Sequence, residues 1–117
     1  MAEIKLYGIP NCDTTRQAIT WLNKKKATYS FHDYKQLGIS KQKLEEWCGK
    51  AGLETIFNKR SATWKKLPAT EQAKSASRTG AIQLMSENTS IIKRPVIEKG
   101  KELIVGFKEE QYTKHLK

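Results

Sequence analysis

The chain has 117 residues, 22 of them lysine or arginine against 12 acidic, for a net charge of +10; that length fits one domain with one core. The basic residues are dispersed, with short clusters only at Lys24–Lys26, Lys65–Lys66 and Lys93–Arg94, which reads as a solvated surface and argues against sequence-specific DNA contact. Two cysteines form no disulfide framework, the start of the chain lacks a signal-peptide run, no window reaches membrane-spanning length, and a reducing, cytoplasmic setting is expected.

Glu3 to Gly8 alternates as a strand, with Ile4, Leu6 and Gly8 on one face. An amphipathic helix follows to about Lys26, capped by Asn11 or Asp13, with Ala18, Ile19 and Leu22 on its apolar stripe. Tyr29 to Tyr34 is a second strand. From Gly38 to Asn88 the pattern is mainly helical. Ser40 caps one helix there, Leu53 to Phe57 forms a helical turn, Pro68 opens another helix, and Ala81 to Met85 is helical. Val96–Glu98 and Leu103–Val105 flank Gly100 as a hairpin, and Lys108 to Leu116 closes with a helix. The order β-α-β, helical block, β-β-α predicts a right-handed βαβ unit with an antiparallel hairpin added. The expected fold is α/β: a thioredoxin-like mixed four-stranded sheet, with core residues about 1–37 and 89–117 and a helical insertion at about 38–88.

Cys12 is the candidate nucleophile. It stands where the first strand ends and the first helix begins. A helix N-terminus presents unpaired N–H groups and a positive dipole end, and both favour a thiolate. Arg16 lies one turn on, on the same helical face. Cys48, beside Leu44 and Trp47 in a helical pattern, is a core thiol. His32 and His115 have no metal-ligand spacing around them, so no metal site is expected. The tryptophans are packing residues.

Several segments together resemble the ArsC-like proteins, a group that includes arsenate reductases and the Spx/MgsR regulators. They are Tyr7 to Thr14, Phe31 to Tyr34, Asn58 to Arg60, Thr63 to Leu67 and Ile91 to Pro95. The Asn-Cys-Asp-Thr loop, the Phe-His-Asp-Tyr strand and Gly106-Phe107 are most similar to the YffB-like branch. The resemblance implies a thioredoxin-like fold and a reactive loop cysteine at Cys12. It implies anion or glutathione binding by Arg94 and Arg60; Arg16, by its place on the helix, is a further candidate for that binding, and Asn11 is a supporting loop residue. It also implies a cis peptide bond before Pro95, facing the cysteine. Two departures weaken arsenate reduction: Gly8 stands where arsenate reductases carry histidine, and Val105 where they carry a third arginine. Thr15 replaces the second cysteine of the Spx-type Cys-x-x-Cys switch.

The resulting expectation is a glutathione-dependent thiol oxidoreductase with a single nucleophilic cysteine. It would form a mixed disulfide or an oxyanion adduct, resolved by glutathione or another small thiol, with no tightly bound cofactor. The alternative is a non-catalytic regulator of the Spx type that binds RNA polymerase or another protein. A monomer is expected in either case.

Overall fold

The computed structural model describes residues 3–116. Four strands form one mixed sheet in the order β2-β1-β3-β4. They are β1 (Ile4–Gly8), β2 (Tyr29–Asp33), β3 (Val96–Lys99) and β4 (Glu102–Val105). β1 and β2 are parallel, with Leu6 opposite Phe31; β1 and β3 are antiparallel, with Leu6 opposite Ile97. The crossover between β1 and β2 is α1 (Asp13–Lys24). This is the thioredoxin-like plan expected from the sequence. β3 and β4 form a hairpin with Lys99 opposite Glu102. Gly100 turns it at φ 61°, a conformation a side chain would resist.

The chain divides into two compact units. The first holds the chain up to Leu37 and again from Arg94; the second runs from Gly38 to Lys93.

The first unit is built on one face of the sheet. Ile4 and Leu6 from β1, Ile97 from β3 and Ile104 from β4 meet Ala18, Trp21 and Leu22 from α1. Tyr112 and Leu116 join them from the last helix, which runs Glu109–Leu116. Leu6, Ala18, Leu22 and Ile97 are fully buried, and each buried aliphatic side chain of that size contributes about 1.5–3 kcal/mol. Strict alternation in β1 breaks at Tyr7, which is also buried. Its ring contacts His32 across the β1–β2 pair at 4.9 Å, and its hydroxyl donates to Glu98 Oε1 at 2.7 Å. The second sheet face is therefore aromatic and polar. A short helix, α2 (Tyr34–Leu37), ends β2, where the sequence pattern placed Tyr34 in the strand. Tyr34 is buried to 1% exposure at the residue where the chain turns out of β2 into that helix.

The second unit is helical: α3 (Lys41–Ala51), α4 (Leu53–Ile56), α5 (Ala62–Lys66), α6 (Ala69–Gln72) and α7 (Arg78–Glu87). The last helix, α8, is the Glu109–Leu116 segment of the first unit. Three serines cap helices here. Ser40 Oγ accepts from Lys43 N–H, Ser61 Oγ from Trp64 N–H and Ser77 Oγ from Gly80 N–H, each worth about 1 kcal/mol. α3 packs on α4 and α7, burying Leu44, Trp47, Ile56, Ile82, Leu84 and Met85. Cys48 is buried in this core. A single antiparallel bridge joins Phe57 to Ile92.

Candidate active site

The turn between β1 and α1 is short. Cys12 N–H donates to the Ile9 carbonyl at 3.2 Å, and the Cys12 carbonyl accepts from Arg16 N–H at 2.9 Å. Cys12 itself is therefore the N-cap, in extended conformation at φ −112° and ψ 127°. The sequence had suggested Asn11 or Asp13 for this place. Asn11 is instead engaged by its side chain, whose Oδ1 accepts from Arg16 Nη2 at 3.5 Å. Being the cap sets the sulfur at the positive helix end.

Two groups from separate parts of the first unit meet the sulfur. Thr14 Oγ1 stands 3.1 Å from Cys12 Sγ and donates to the Arg94 carbonyl at 3.2 Å. The Arg94 side chain also hydrogen-bonds the sulfur. Partial burial alone would push the Cys12 thiol up. Hydrogen bonding with Thr14 and from the Arg94 side chain, together with the Thr15 backbone N–H, outweighs it and brings the pKa from 9.0 down to about 6. Thr15 Oγ1 is buried, with no hydrogen-bond partner among the described residues. At neutral pH Cys12 is thus mainly thiolate, in a half-exposed position open to a reactant.

Arg94 and Pro95 lead into β3, and the peptide bond between them is cis. Pro95 anchors the end of the hairpin, its carbonyl accepting from Gly106 N–H at 2.7 Å. Within electrostatic reach of Arg94 lies Tyr34, whose hydroxyl is buried without a hydrogen-bond partner among the described residues. Burial, with the neighbouring Tyr7, raises its pKa well above the ordinary value, and Arg94 works in the opposite direction.

Arg16 is placed differently from Arg94. Its Nε donates to the Pro10 carbonyl at 3.4 Å, and its Nη1 lies 3.7 Å from Asp13 Oδ1. Together with the Asn11 contact, these make Arg16 a clasp on the loop that carries Cys12. Both members of the Asp13 pair are well exposed, so that pair adds little on its own.

Arg60 belongs to the second unit. Asn58 Oδ1 accepts from Arg60 N–H at 3.1 Å, an Asx turn. The Phe57–Ile92 bridge continues as Asn58 N–H to the Ile91 carbonyl and Lys93 N–H to the Ile56 carbonyl, both 2.8 Å. This pairing sets Asn58 to Arg60 beside Lys93. Arg60, Lys59 and Lys93 line a cavity of about 390 Å³ over Phe57, a basic recess suited to a carboxylate or other small anion.

Gly8 and Val105, the two departures noted in the sequence, have definite surroundings. A Cβ at Gly8 would stand 2.8 Å from Thr15 Oγ1. Val105 pairs with Val96 at the end of the hairpin. The site residue the sequence did not single out is Thr14. Its signal is position: two residues after an N-cap, a hydroxyl can reach back to the cap side chain.

The ArsC family model matches residues 7–115. Among solved structures, a YffB protein shares 42% identity at a TM-score of 0.93, over 97% of this chain and 99% of its own. An arsenate reductase (ArsC) related protein from Brucella melitensis shares 36% at a TM-score of 0.74, over 98% and 95%. The global transcriptional regulator Spx of Streptococcus agalactiae is 30% identical over 110 residues, 92% of this chain and 79% of that protein.

Proposed function

The chain belongs to the ArsC family, and from that premise we propose that it is a glutathione-dependent thiol oxidoreductase with Cys12 as its single nucleophile. The observation that carries this reading is the Cys12 thiol, lowered to about 6 by Thr14 and Arg94 against the cost of burial. The Cys12 thiolate attacks a disulfide sulfur of the substrate. A Cys12 mixed disulfide forms and the other half leaves as a thiolate. Glutathione thiolate then attacks the substrate sulfur of that mixed disulfide, restoring Cys12 and carrying the oxidation away as a glutathione disulfide. Arg94 holds a carboxylate of the thiol through its planar fork. The basic recess around Arg60 offers a second place for an anion.

Arsenate is a weaker substrate candidate. A histidine at position 8 has no room above Thr15, and Val105 supplies no positive charge. Glutathione enters this reading through chemistry: with Thr15 in place of a second loop cysteine, resolution needs an external thiol.

The experiment is incubation of the protein with glutathione disulfide, followed by mass mapping. The expected result is a glutathione adduct on Cys12 that added glutathione releases, with disulfide reduction lost in Cys12→Ser. Full activity in Cys12→Ser would end this reading. A second reading, a regulator that binds RNA polymerase, is supported by the similarity to Spx along 92% of the chain. Capture of polymerase subunits by a protein that forms no Cys12 adduct would favour it.

A further inference from the structure

Thr14 stands between two groups that compete for one hydrogen. Its hydroxyl carries a single proton and two lone pairs. It lies 3.1 Å from Cys12 Sγ and donates to the Arg94 carbonyl at 3.2 Å. While Cys12 is a thiol, both contacts are satisfied at once: the S–H donates to Thr14 Oγ1, and Thr14 donates to Arg94. A thiolate has no hydrogen to give. The only hydrogen bond Thr14 can then make to the sulfur is one in which it donates, and for that it must turn away from Arg94.

We propose that Thr14 is a positioning residue that exchanges its hydroxyl proton between two partners, serving the Arg94 carbonyl when Cys12 is protonated and the Cys12 sulfur when it is ionised. This rests on the thiol reading above and extends it. Ionisation of the nucleophile then frees a backbone acceptor beside it. The released carbonyl is linked to Cys12 Sγ through Thr14, and the amide N–H of a bound thiol substrate is a donor it can take. Activation of the sulfur and exposure of a peptide-binding acceptor become one event. Conversely, a carbonyl already accepting from a substrate N–H is a poorer acceptor for Thr14, which favours the turn toward sulfur and the thiolate.

The charged groups around Cys12 set the background. They are the Arg94 side chain before β3, and Asp13 with Arg16 on α1, where Arg16 is held by Pro10, Asn11 and Asp13. None of these carries a hydroxyl that can reverse its hydrogen bond. Thr14 is exposed and at the helix start, so substitutions there leave the core intact.

The test is a pH titration of the full chain by carbon-13 NMR, following Cys12 Cβ and the Arg94 carbonyl in the parent, Thr14→Ser and Thr14→Val. In the parent and in Thr14→Ser, the Arg94 carbonyl resonance should move with the same midpoint as Cys12. In Thr14→Val, the Cys12 midpoint should rise by about one, a roughly tenfold loss of thiolate on the acidic side, and the Arg94 carbonyl should cease to follow it. The proposal is overturned if Thr14→Val leaves the Cys12 midpoint in place, or if its Arg94 carbonyl responds as strongly as in the parent. A failure of the thiol reading looks different: the parent Cys12 midpoint itself would lie at the free-thiol value of roughly 8.5.

Discussion

Gly8 and Thr15 are fitted to each other: Thr15 is fully buried, and its Oγ1 lies 2.8 Å from where a Gly8 Cβ would be. Thr15 is a short, buried side chain on the first turn of α1, so moving its Oγ1 aside means shifting buried neighbours. Gly8→Ala should therefore destabilise the protein by about 1–3 kcal/mol, the usual range for overpacking. Thr15→Ala removes the obstructing atoms. In a double-mutant cycle by urea unfolding, Gly8→Ala should cost at least about 1 kcal/mol less when Thr15→Ala is present. Additive costs would show that the two residues are not coupled. The same fit explains why this chain has no histidine before its loop.

The Cys12 thiol predicts a pH dependence of stability with a definite sign. Its folded pKa, about 6, lies below its ordinary 9.0. Between those values the unfolded chain holds the proton and the folded chain does not, so stability rises with pH. The contribution is complete above about pH 9 and lost below about pH 6. The parent should gain stability over Cys12→Ser as pH is raised through this window, by denaturant unfolding at several pH values. Because the sulfur is half exposed, the gain is smaller than the full shift implies. A difference that stays flat with pH would contradict the lowered thiol.

Arg94 acts on the same sulfur through charge and through hydrogen-bond direction, and two variants separate these. Arg94→Ala should raise the Cys12 pKa by about one or more, since a hydrogen bond from a charged group is worth about 1.5–3 kcal/mol. Arg94→Lys keeps the charge but loses the planar fork. It should recover part of the lowered pKa while remaining weak in glutathione binding. Iodoacetamide alkylation of Cys12 against pH gives the first quantity, and a glutathione titration followed by NMR gives the second. Equal behaviour of the two variants in both assays would assign Arg94 a purely structural role.

Much of this architecture is written in local patterns. The extent of β1, the stripe on α1, the Ser40 cap and the Gly100 hairpin each depend on neighbours within one element, and each stands where the pattern puts it. The turn that carries Cys12 is legible for the same reason, since a strand period ends and a helix period begins around it. The ArsC resemblance added the wider frame. What local pattern does not show is pairing between distant segments. The Phe57–Ile92 bridge, which sets Lys93 beside Asn58 to Arg60, leaves no periodic trace. Nor does the contact of Thr14 with Arg94, because a threonine in a first helical turn ordinarily serves its own helix. Tyr7, on the opposite face of β1 from Leu6, is buried as well, and a period-2 pattern written for a sheet with one wet face does not show that.

Glycines inside the second unit give a last prediction in which the same substitution has opposite signs. Gly49 lies within α3 and Gly80 within α7. In both helices alanine is the better former by about 1 kcal/mol. At Gly49 a new Cβ would meet only Arg78 Nη2, at 3.9 Å, so the propensity gain is kept. Gly49→Ala should stabilise the protein by about 0.5–1 kcal/mol. At Gly80 the new Cβ would overlap the Lys74 carbonyl oxygen, which is backbone and cannot swing aside. Overpacking of about 1–3 kcal/mol or more outweighs the propensity gain, so Gly80→Ala should be destabilising. Amide hydrogen exchange in α7 should then accelerate, while α3 in Gly49→Ala is better protected. Parallel stabilisation by both variants would mean that the chain before Ser77 does not approach α7 this closely.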